Sequence, residues 1–120
     1  MGDFLLRHGT GNPRNSEGSF VELADGRILF AWTKYCGSSW HDDCTSDIWG
    51  IYSADDGATW SEPHLILAHE GLNVMSVSLL RLQSQKLALL TLQKSALHGW
   101  QYSCDCRPMF RTSDDDGLSW

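Results

Sequence analysis

The apolar positions of this chain are spaced for β-strands and almost nowhere for helices. We predict a strand in each of seven segments rich in β-branched, aromatic or alternating apolar residues: 19–23, 27–35, 48–52, 64–68, 75–82, 86–93 and 107–112. Asp25-Gly26, between the first two, has the Asp-Gly signature of a hairpin turn. The pattern therefore predicts an all-β fold.

The strand pattern repeats along the chain. Segment 53–60 reads SADDGATW, and 60 residues later segment 113–120 reads SDDDGLSW. The turn pattern that begins at Leu23 recurs 59 residues later at Leu82. Because two separate features share one period, we predict the duplication of a four-stranded unit of about 60 residues, which favours a β-propeller blade.

Composition and charge narrow the possible functions. The chain has 120 residues, of which 42% are hydrophobic, and this suits one small globular domain. Its 9 basic and 15 acidic residues give a net charge of −6, which disfavours a nucleic-acid or anionic-membrane partner. No apolar stretch approaches the ~18 residues of a membrane span. The N-terminus has no signal-peptide pattern. If Met1 is the natural start, we expect a cytoplasmic protein. If the natural sequence begins earlier, a periplasmic or secreted protein is also open.

The four cysteines form two close pairs, Cys36 with Cys44 and Cys104 with Cys106. Their number does not decide between disulfides, metal ligands and free thiols. Together with His41 they could gather around zinc, but their spacings match no common zinc module. We expect free thiols, a disulfide only in an exported protein, and no metal or other cofactor.

The pattern Ser-x-Asp-x-Gly-x-Thr-Trp at 53–60 resembles the Asp-box. Its recurrence at the blade period makes residues 14–120 similar to the sialidase-like (bacterial neuraminidase repeat) superfamily. This resemblance implies a six-bladed β-propeller, of which the chain would hold about two blades, 15–68 and a truncated 73–120. The chain ends on the Trp of the second box, so we expect it to be an N-terminal fragment whose remaining blades close the propeller.

The two boxes are expected to be structural. The acidic run 114–117 suggests a calcium loop, but such a loop needs carboxylates at alternate positions and also a distant Glu, which is absent here. We expect the Asp side chains to accept turn N–H bonds, the Gly residues to adopt positive φ, and the Trp side chains to fill the gap beside the next strand. The expected structural residues are Ser53, Asp55, Gly57, Thr59 and Trp60 in the first box and Ser113, Asp115, Gly117 and Trp120 in the second.

The long loop 34–45 is the expected place for chemistry. A simple strand connection needs only about 2–5 residues, whereas this loop contains a cation, a His, a Trp and two carboxylates. Sialidases carry an acid/base Asp on this loop, and the resemblance places that residue at Asp42, next to Asp43. A partly desolvated Asp beside a like charge has a raised pKa, which suits proton donation. His41 is the expected orienting or sugar-binding partner, and the alternative for Asp42 is an Asx turn that caps the loop.

The resemblance also implies three arginines that bind the substrate carboxylate. The first belongs to an Arg-Ile-Pro motif, but here Arg14 has no following Pro, Glu17 lies close to the expected cation, and Arg14 reaches the site only through a register slip of about two residues. The second arginine is replaced by Lys34, whose ammonium cannot form the bidentate clamp of a guanidinium. The third arginine, and the Tyr nucleophile with its Glu, would lie beyond residue 120. The polar residues of this region could instead bind a neutral or differently charged sugar.

Asp105 and Arg107 form a second candidate cluster, either as a salt bridge that positions a loop or as a substrate contact. The predicted function is glycoside hydrolysis, with exo-α-sialidase-like removal of terminal sugars from glycans. The alternative is a non-catalytic carbohydrate-binding propeller that keeps the Asp-boxes. The expected partner is a glycan or sialoglycoconjugate, and we expect the isolated chain to be inactive.

Overall fold

The computed structural model describes residues 5–95 and 105–120, which form two antiparallel sheets. Sheet one has the order β1-β2-β3-β4 and sheet two the order β5-β6-β7. The strands are β1 (Asn15–Glu22), β2 (Ile28–Tyr35), β3 (Ser46–Ser53), β4 (His64–Leu67), β5 (Asn73–Arg81), β6 (Leu87–Lys94) and β7 (Cys106–Ser113). Over these ranges there is no helix, and therefore none that could cross a bilayer. The all-β prediction and its seven strands are confirmed, while the number of blades and closure of a ring stay predictions.

A bulge in β1 accounts for the largest difference from the predicted strand bounds. The strand begins at Asn15 rather than Ser19, because its pairing with β2 shifts between Ser16 and Ser19. Glu17 lies in the bulge with a φ of +40°, which breaks the alternation of inward and outward side chains. The alternating pattern therefore identified only the part of β1 that follows the bulge.

The same irregularities recur in both sheets. β5 has a shift between Met75 and Ser78, with Ser76 at a φ of +58°. At the β1–β2 hairpin the Gly26 N–H donates to the Leu23 carbonyl at 3.0 Å. At the β5–β6 hairpin the Gln85 N–H donates to the Leu82 carbonyl at 2.9 Å. The period read from the sequence is therefore a structural repeat.

The core lies between the two sheets. One face of sheet one packs on β5 and β6, and the core residues are Leu23, Leu29, Ala31, Ile48, Val74, Val77, Leu79, Leu87 and Leu89. Two bonds reinforce this packing: the Ser76 N–H donates to Thr33 Oγ1 at 3.0 Å, and the Leu79 N–H donates to Ser19 Oγ at 3.0 Å. Both bonds join the backbone of β5 to hydroxyls of sheet one and hold β5 against that sheet.

The first aspartate turn (53–60) has the expected hydrogen bonds. Ser53 Oγ accepts the Gly57 N–H at 2.8 Å, and Asp55 Oδ1 accepts the Thr59 N–H at 2.8 Å. Asp55 Oδ2 accepts the Thr59 hydroxyl at 2.6 Å, and Gly57 has a φ of +86°. Trp60 donates from Nε1 to the Gly57 carbonyl at 3.1 Å.

The second aspartate turn (113–120) repeats this network. Ser113 Oγ accepts the Gly117 N–H at 2.8 Å, and Asp115 Oδ1 accepts the Ser119 N–H at 2.9 Å. Hydrogen bonds from Ser119 and Ser113 lower the pKa of Asp115 to about 2. Trp120 packs against the core between the sheets. In both turns the Asp side chain thus accepts a turn N–H and the Gly has a positive φ, while the structural role of these residues stays a prediction.

Candidate functional site

The candidate site is built around Arg14, which directly precedes β1. Its Nη1 lies 2.6 Å from Asp42 Oδ1, and its Nη2 lies 3.0 Å from Glu17 Oε1. Nη1 also donates to the Trp40 carbonyl at 3.2 Å, and the guanidinium carbon lies 4.6 Å from the centre of the Tyr35 ring. One guanidinium thus holds together the start of β1 and the long loop after β2.

The bulge in β1 brings Arg14 to this place. Asn15 pairs with Lys34 and Ser19 pairs with Ala31, so four steps of β1 lie against three steps of β2. The Arg14 carbonyl accepts the N–H of Tyr35, the last residue of β2, at 3.0 Å. The bulge shifts the pairing of β1 with β2 by one residue, while the alignment of Arg14 with the arginine of the sialidase motif stays a prediction.

The expectation of a raised pKa for Asp42 is wrong. The hydrogen bond from Arg14 holds the pKa of Asp42 below its ordinary value, and the Asp42 side chain is 64% exposed. The neighbouring carboxylate, Asp43, forms an ion pair of its own, since its Oδ1 lies 2.6 Å from Lys94 Nζ. In this geometry Asp42 is a carboxylate at neutral pH.

Tyr35 is a site residue that sequence reasoning missed. It is fully buried, and its hydroxyl lies 3.4 Å from Asp42 Oδ1 and 3.3 Å from Met75 Sδ. Burial raises the pKa of Tyr35 to about 12, so that the hydroxyl keeps its proton. The alternation of side chains along β2 could have identified this residue, because it places Tyr35 on the same face as the buried Thr33.

Sheet two anchors the loop that carries Asp42. Asn73 Nδ2, fully buried at the start of β5, donates to the Asp42 carbonyl at 2.8 Å and to the Cys44 carbonyl at 3.0 Å. Lys94 Nζ, at the end of β6, donates to the Asp42 carbonyl at 3.2 Å in addition to its ion pair with Asp43. These contacts hold the backbone of the loop, while the Asp42 carboxylate pairs with Arg14 and is exposed to solvent.

Two predicted site residues lie apart from the Arg14–Asp42 pair. Lys34 is on the face of β2 opposite to Tyr35, and its Nζ lies 4.0 Å from the centre of the Trp49 ring. His41 is exposed and stacks on Trp40 with ring centres 4.4 Å apart. Lys34 is therefore engaged outside this cluster, and the binding role of His41 stays a prediction.

An open cavity of about 320 Å³ adjoins Arg14. It is lined by Leu6, His8, Pro13, Arg14, Asn15 and Trp40. Trp40 is 62% exposed at its rim. An exposed ring beside a guanidinium offers a small ligand both an apolar surface and a charged anchor.

The remaining predicted groups lie elsewhere. Arg107 Nε lies 2.7 Å from Asp105 Oδ1, so this pair forms the expected salt bridge, while its contact with substrate stays a prediction. Cys36, Cys44 and Cys106 are free thiols, and Cys104 lies outside the described residues. Within residues 5–95 and 105–120, no three His, Cys, Asp or Glu side chains are grouped to hold a metal ion.

Known structures resemble this arrangement of strands, although no family model and no curated protein matches the sequence. A protein of unknown function from Dyadobacter fermentans DSM 18053 has a TM-score of 0.77 and 20% identity, over 94% of this chain and 36% of that one. The Hadza microbial sialidase Hz136 has a TM-score of 0.71 and 17% identity, over 92% of this chain and 25% of that one. The NanB sialidase from Streptococcus pneumoniae has a TM-score of 0.58 and 20% identity, over 74% of this chain and 17% of that one.

The chain thus spans between 17% and 36% of the length of these structures. At such identities the likeness concerns the path of the backbone and assigns no residue its role. The two sheets of this chain have a sialidase-like fold.

Proposed function

We propose that this chain is the part of a sialidase-like glycosidase that carries the acid/base residue Asp42, and that the enzyme removes a terminal acidic sugar from glycans. The observation that carries the proposal is the 2.6 Å contact between Arg14 and Asp42 beside an open cavity. The two aspartate turns, taken as Asp-boxes, and the sialidase-like fold support the same assignment.

The chemistry requires a proton for the leaving oxygen of the glycosidic bond. An acidic sugar whose carboxylate binds Arg14 would share the guanidinium with Asp42 and weaken the bond between them. Because that bond lowers the pKa of Asp42, its loss would raise this pKa and prepare the carboxyl group to donate a proton. Binding of the substrate anion would thus create the acid that acts on the same substrate.

The other catalytic groups are proposed to come from outside this chain. The Tyr nucleophile, its assisting Glu and the further arginines would be supplied by the remaining blades of the same polypeptide. We retain five residues as proposed substrate contacts: Glu17, His41, Asp43, Asp105 and Arg107. Lys34 is not retained, because it stacks on Trp49. No cofactor is required for hydrolysis of this kind.

The test is Asp42→Asn in the complete enzyme, with Asp25→Asn, on an exposed hairpin, as the control for a lost carboxylate. General acid catalysis is typically worth about 10²–10⁴ in rate, so kcat should fall by that factor on a sialoside with a poor leaving group. An aryl sialoside with a good leaving group should lose far less. Equal loss on both substrates would exclude Asp42 as the proton donor, and the same comparison with Asp43→Asn would then identify or exclude its neighbour.

A non-catalytic carbohydrate-binding protein is the second candidate. The position of Lys34 favours it, because the guanidinium expected there is missing and its replacement points to Trp49. For a binding protein, Asp42→Asn should leave the dissociation constant for the glycan nearly unchanged, and the unmodified protein should hydrolyse no sialoside at any pH.

A further inference from the structure

Tyr35 contacts both charged members of the candidate site from inside the core. It is the last residue of β2, and residues of this chain bury its side chain completely. Its ring lies under the guanidinium of Arg14, whose carbon is 4.6 Å from the ring centre. Its hydroxyl lies 3.4 Å from Asp42 Oδ1. One rigid side chain therefore supports the arginine with its ring and reaches the carboxylate with its hydroxyl.

The Tyr35 hydroxyl has one proton and two acceptors within reach. Asp42 Oδ1 lies at 3.4 Å, and Met75 Sδ lies at 3.3 Å. A thioether sulfur is a weak acceptor, whereas a hydrogen bond to a carboxylate is charge-assisted and stronger. Burial raises the pKa of Tyr35 to about 12, so the hydroxyl has a proton to donate throughout the neutral range. We therefore expect this proton to point to Asp42.

The two carboxylate oxygens of Asp42 have different surroundings. Oδ1 lies 2.6 Å from Arg14 Nη1 and 3.4 Å from the Tyr35 hydroxyl. Among the described residues, both hydrogen bonds to this carboxylate therefore go to Oδ1. The side chain is nevertheless mostly exposed. Oδ2 is thus the oxygen that a ligand can approach.

This difference decides where a proton on Asp42 resides. A protonated carboxyl group has one carbonyl oxygen, which accepts hydrogen bonds, and one hydroxyl oxygen, which carries the proton. While Tyr35 donates to Oδ1, Oδ1 is the carbonyl oxygen and the proton is on Oδ2. An acidic sugar that draws the guanidinium away leaves this arrangement in place, because Tyr35 is neutral and is held by the core.

We propose that Tyr35 is the positioning residue of Asp42: its hydroxyl holds Oδ1, so that Oδ2 faces the substrate and transfers the proton. The inference rests on the proposed glycosidase function. The proton passes from Oδ2 to the leaving oxygen as the bond between that oxygen and the sugar breaks, and the electron pair of the bond stays on the leaving oxygen. Asp42 is then a carboxylate again, and it recovers a proton from the water that completes the hydrolysis.

The charged groups near Tyr35 and Asp42 come from several elements: Arg14 before β1, Glu17 in the bulge of β1, Asp43 on the loop and Lys94 at the end of β6. Lys94 pairs with Asp43 and binds the backbone of the loop, and Glu17 is bound to Arg14. Once Arg14 is shared with a substrate anion, Tyr35 is the donor that remains on the Asp42 carboxylate among the residues the structure describes. The orientation of the carboxyl group then depends on this hydroxyl.

Tyr35→Phe removes the hydroxyl and keeps the ring that fills the core, so the variant should fold, and circular dichroism checks this. Tyr52→Phe is the matched control, because Tyr52 pairs with Leu29 at the opposite end of β2. NMR pH titration of the full chain should show a higher pKa of Asp42 in Tyr35→Phe, since the bond from Tyr35 adds to that from Arg14 in lowering this pKa. Tyr52→Phe should leave it unchanged. An unchanged pKa of Asp42 in Tyr35→Phe would overturn the inference, whatever the activity of the complete enzyme.

Kinetics of the complete enzyme separate a positioning role from a purely structural one. Tyr35→Phe should lower kcat about 10- to 100-fold on a sialoside with a poor leaving group, since misplacement by about 1 Å can cost 10²-fold, and far less on an aryl sialoside. In the Asp42→Asn background the same substitution should cause no further loss, because its effect passes through Asp42. Equal losses in both backgrounds, or on both substrates, would overturn this inference alone. An Asp42→Asn variant whose loss does not depend on the leaving group would overturn the proposed function, and this inference with it.

Discussion

Arg14 Nη1 and Asp42 Oδ1 are 2.6 Å apart although 28 positions separate the two residues. The first directly precedes β1, and the second lies on the loop that leaves β2. The bond lowers the pKa of Asp42, and the same bond raises the pKa of Arg14. The two charges are therefore coupled, and any ligand that competes for one of them changes the other.

Replacement of Arg14 tests its role in binding the anion. Arg14→Gln removes the charge, and Arg14→Lys keeps it without the planar fork that binds two oxygens at once. Since a hydrogen bond to a charged group contributes about 1.5–3 kcal/mol, the dissociation constant for an acidic sugar should rise about 10- to 150-fold in Arg14→Gln and less in Arg14→Lys. Calorimetric titration measures both. A neutral galactoside serves as the control ligand, and an equal loss of affinity for it would show that Arg14 only shapes the loop.

The second aspartate turn should make the stability of the fold depend on acid pH. The pKa of Asp115 is lowered to about 2, so its contribution to folding is complete above the unfolded value of about 3.9 and is lost as the pH falls towards 2. Asp115→Asn should lower the melting temperature at pH 6 and flatten its change between pH 4 and 2. Thermal unfolding by circular dichroism measures this. Asp114→Asn is the control, because Asp114 is 74% exposed and its ion pair is with Lys86 on the surface. An identical fall in melting temperature in both variants would contradict a special role for Asp115.

The anchor at Asn73 should hold the loop in place. In Asn73→Ala, the carbonyls of Asp42 and Cys44 lose a buried donor, which typically costs about 1–3 kcal/mol. Hydrogen exchange at the Cys44 amide, which donates to the His41 carbonyl at 2.9 Å, should become faster. Gln93→Ala removes a similar side-chain bond, to the Glu70 carbonyl near the end of β6, and should leave this amide unchanged. Unchanged exchange in Asn73→Ala would show that Lys94 alone anchors the loop.

The strands and turns could be predicted because their signals are local. Segments rich in β-branched, aromatic or alternating apolar residues identified all seven strands, and Ser53, Asp55 and Gly57 make their hydrogen bonds within one short turn. The position of Lys34 was also predictable in principle, since strict alternation with Tyr35 places it on the opposite face.

The site itself depends on contacts that no local pattern encodes. Arg14 contacts Asp42 from the start of a bulged strand, in which Glu17 adopts a positive φ that no local pattern predicts. Asn73 and Lys94 reach the same loop from the other sheet, and their role follows from how the sheets pack. The wrong expectation for the pKa of Asp42 arose from the same gap, because its charged partner lies far away in the sequence.

The pKa of Asp42 in the presence of an acidic sugar tests the central claim most directly. The aspartate carboxyl carbons are labelled, and the pKa is measured by NMR pH titration of the full chain in three samples. The first has no ligand, the second contains the α-methyl glycoside of N-acetylneuraminic acid, and the third contains methyl β-galactoside. The Asp42→Asn variant identifies the resonance. We predict a pKa below the ordinary value of about 3.9 in the free chain, a clear rise with the acidic glycoside and no rise with the neutral one. A pKa that stays low at saturation with the acidic glycoside would contradict the account, because Arg14 would then bind the substrate without releasing Asp42 as an acid.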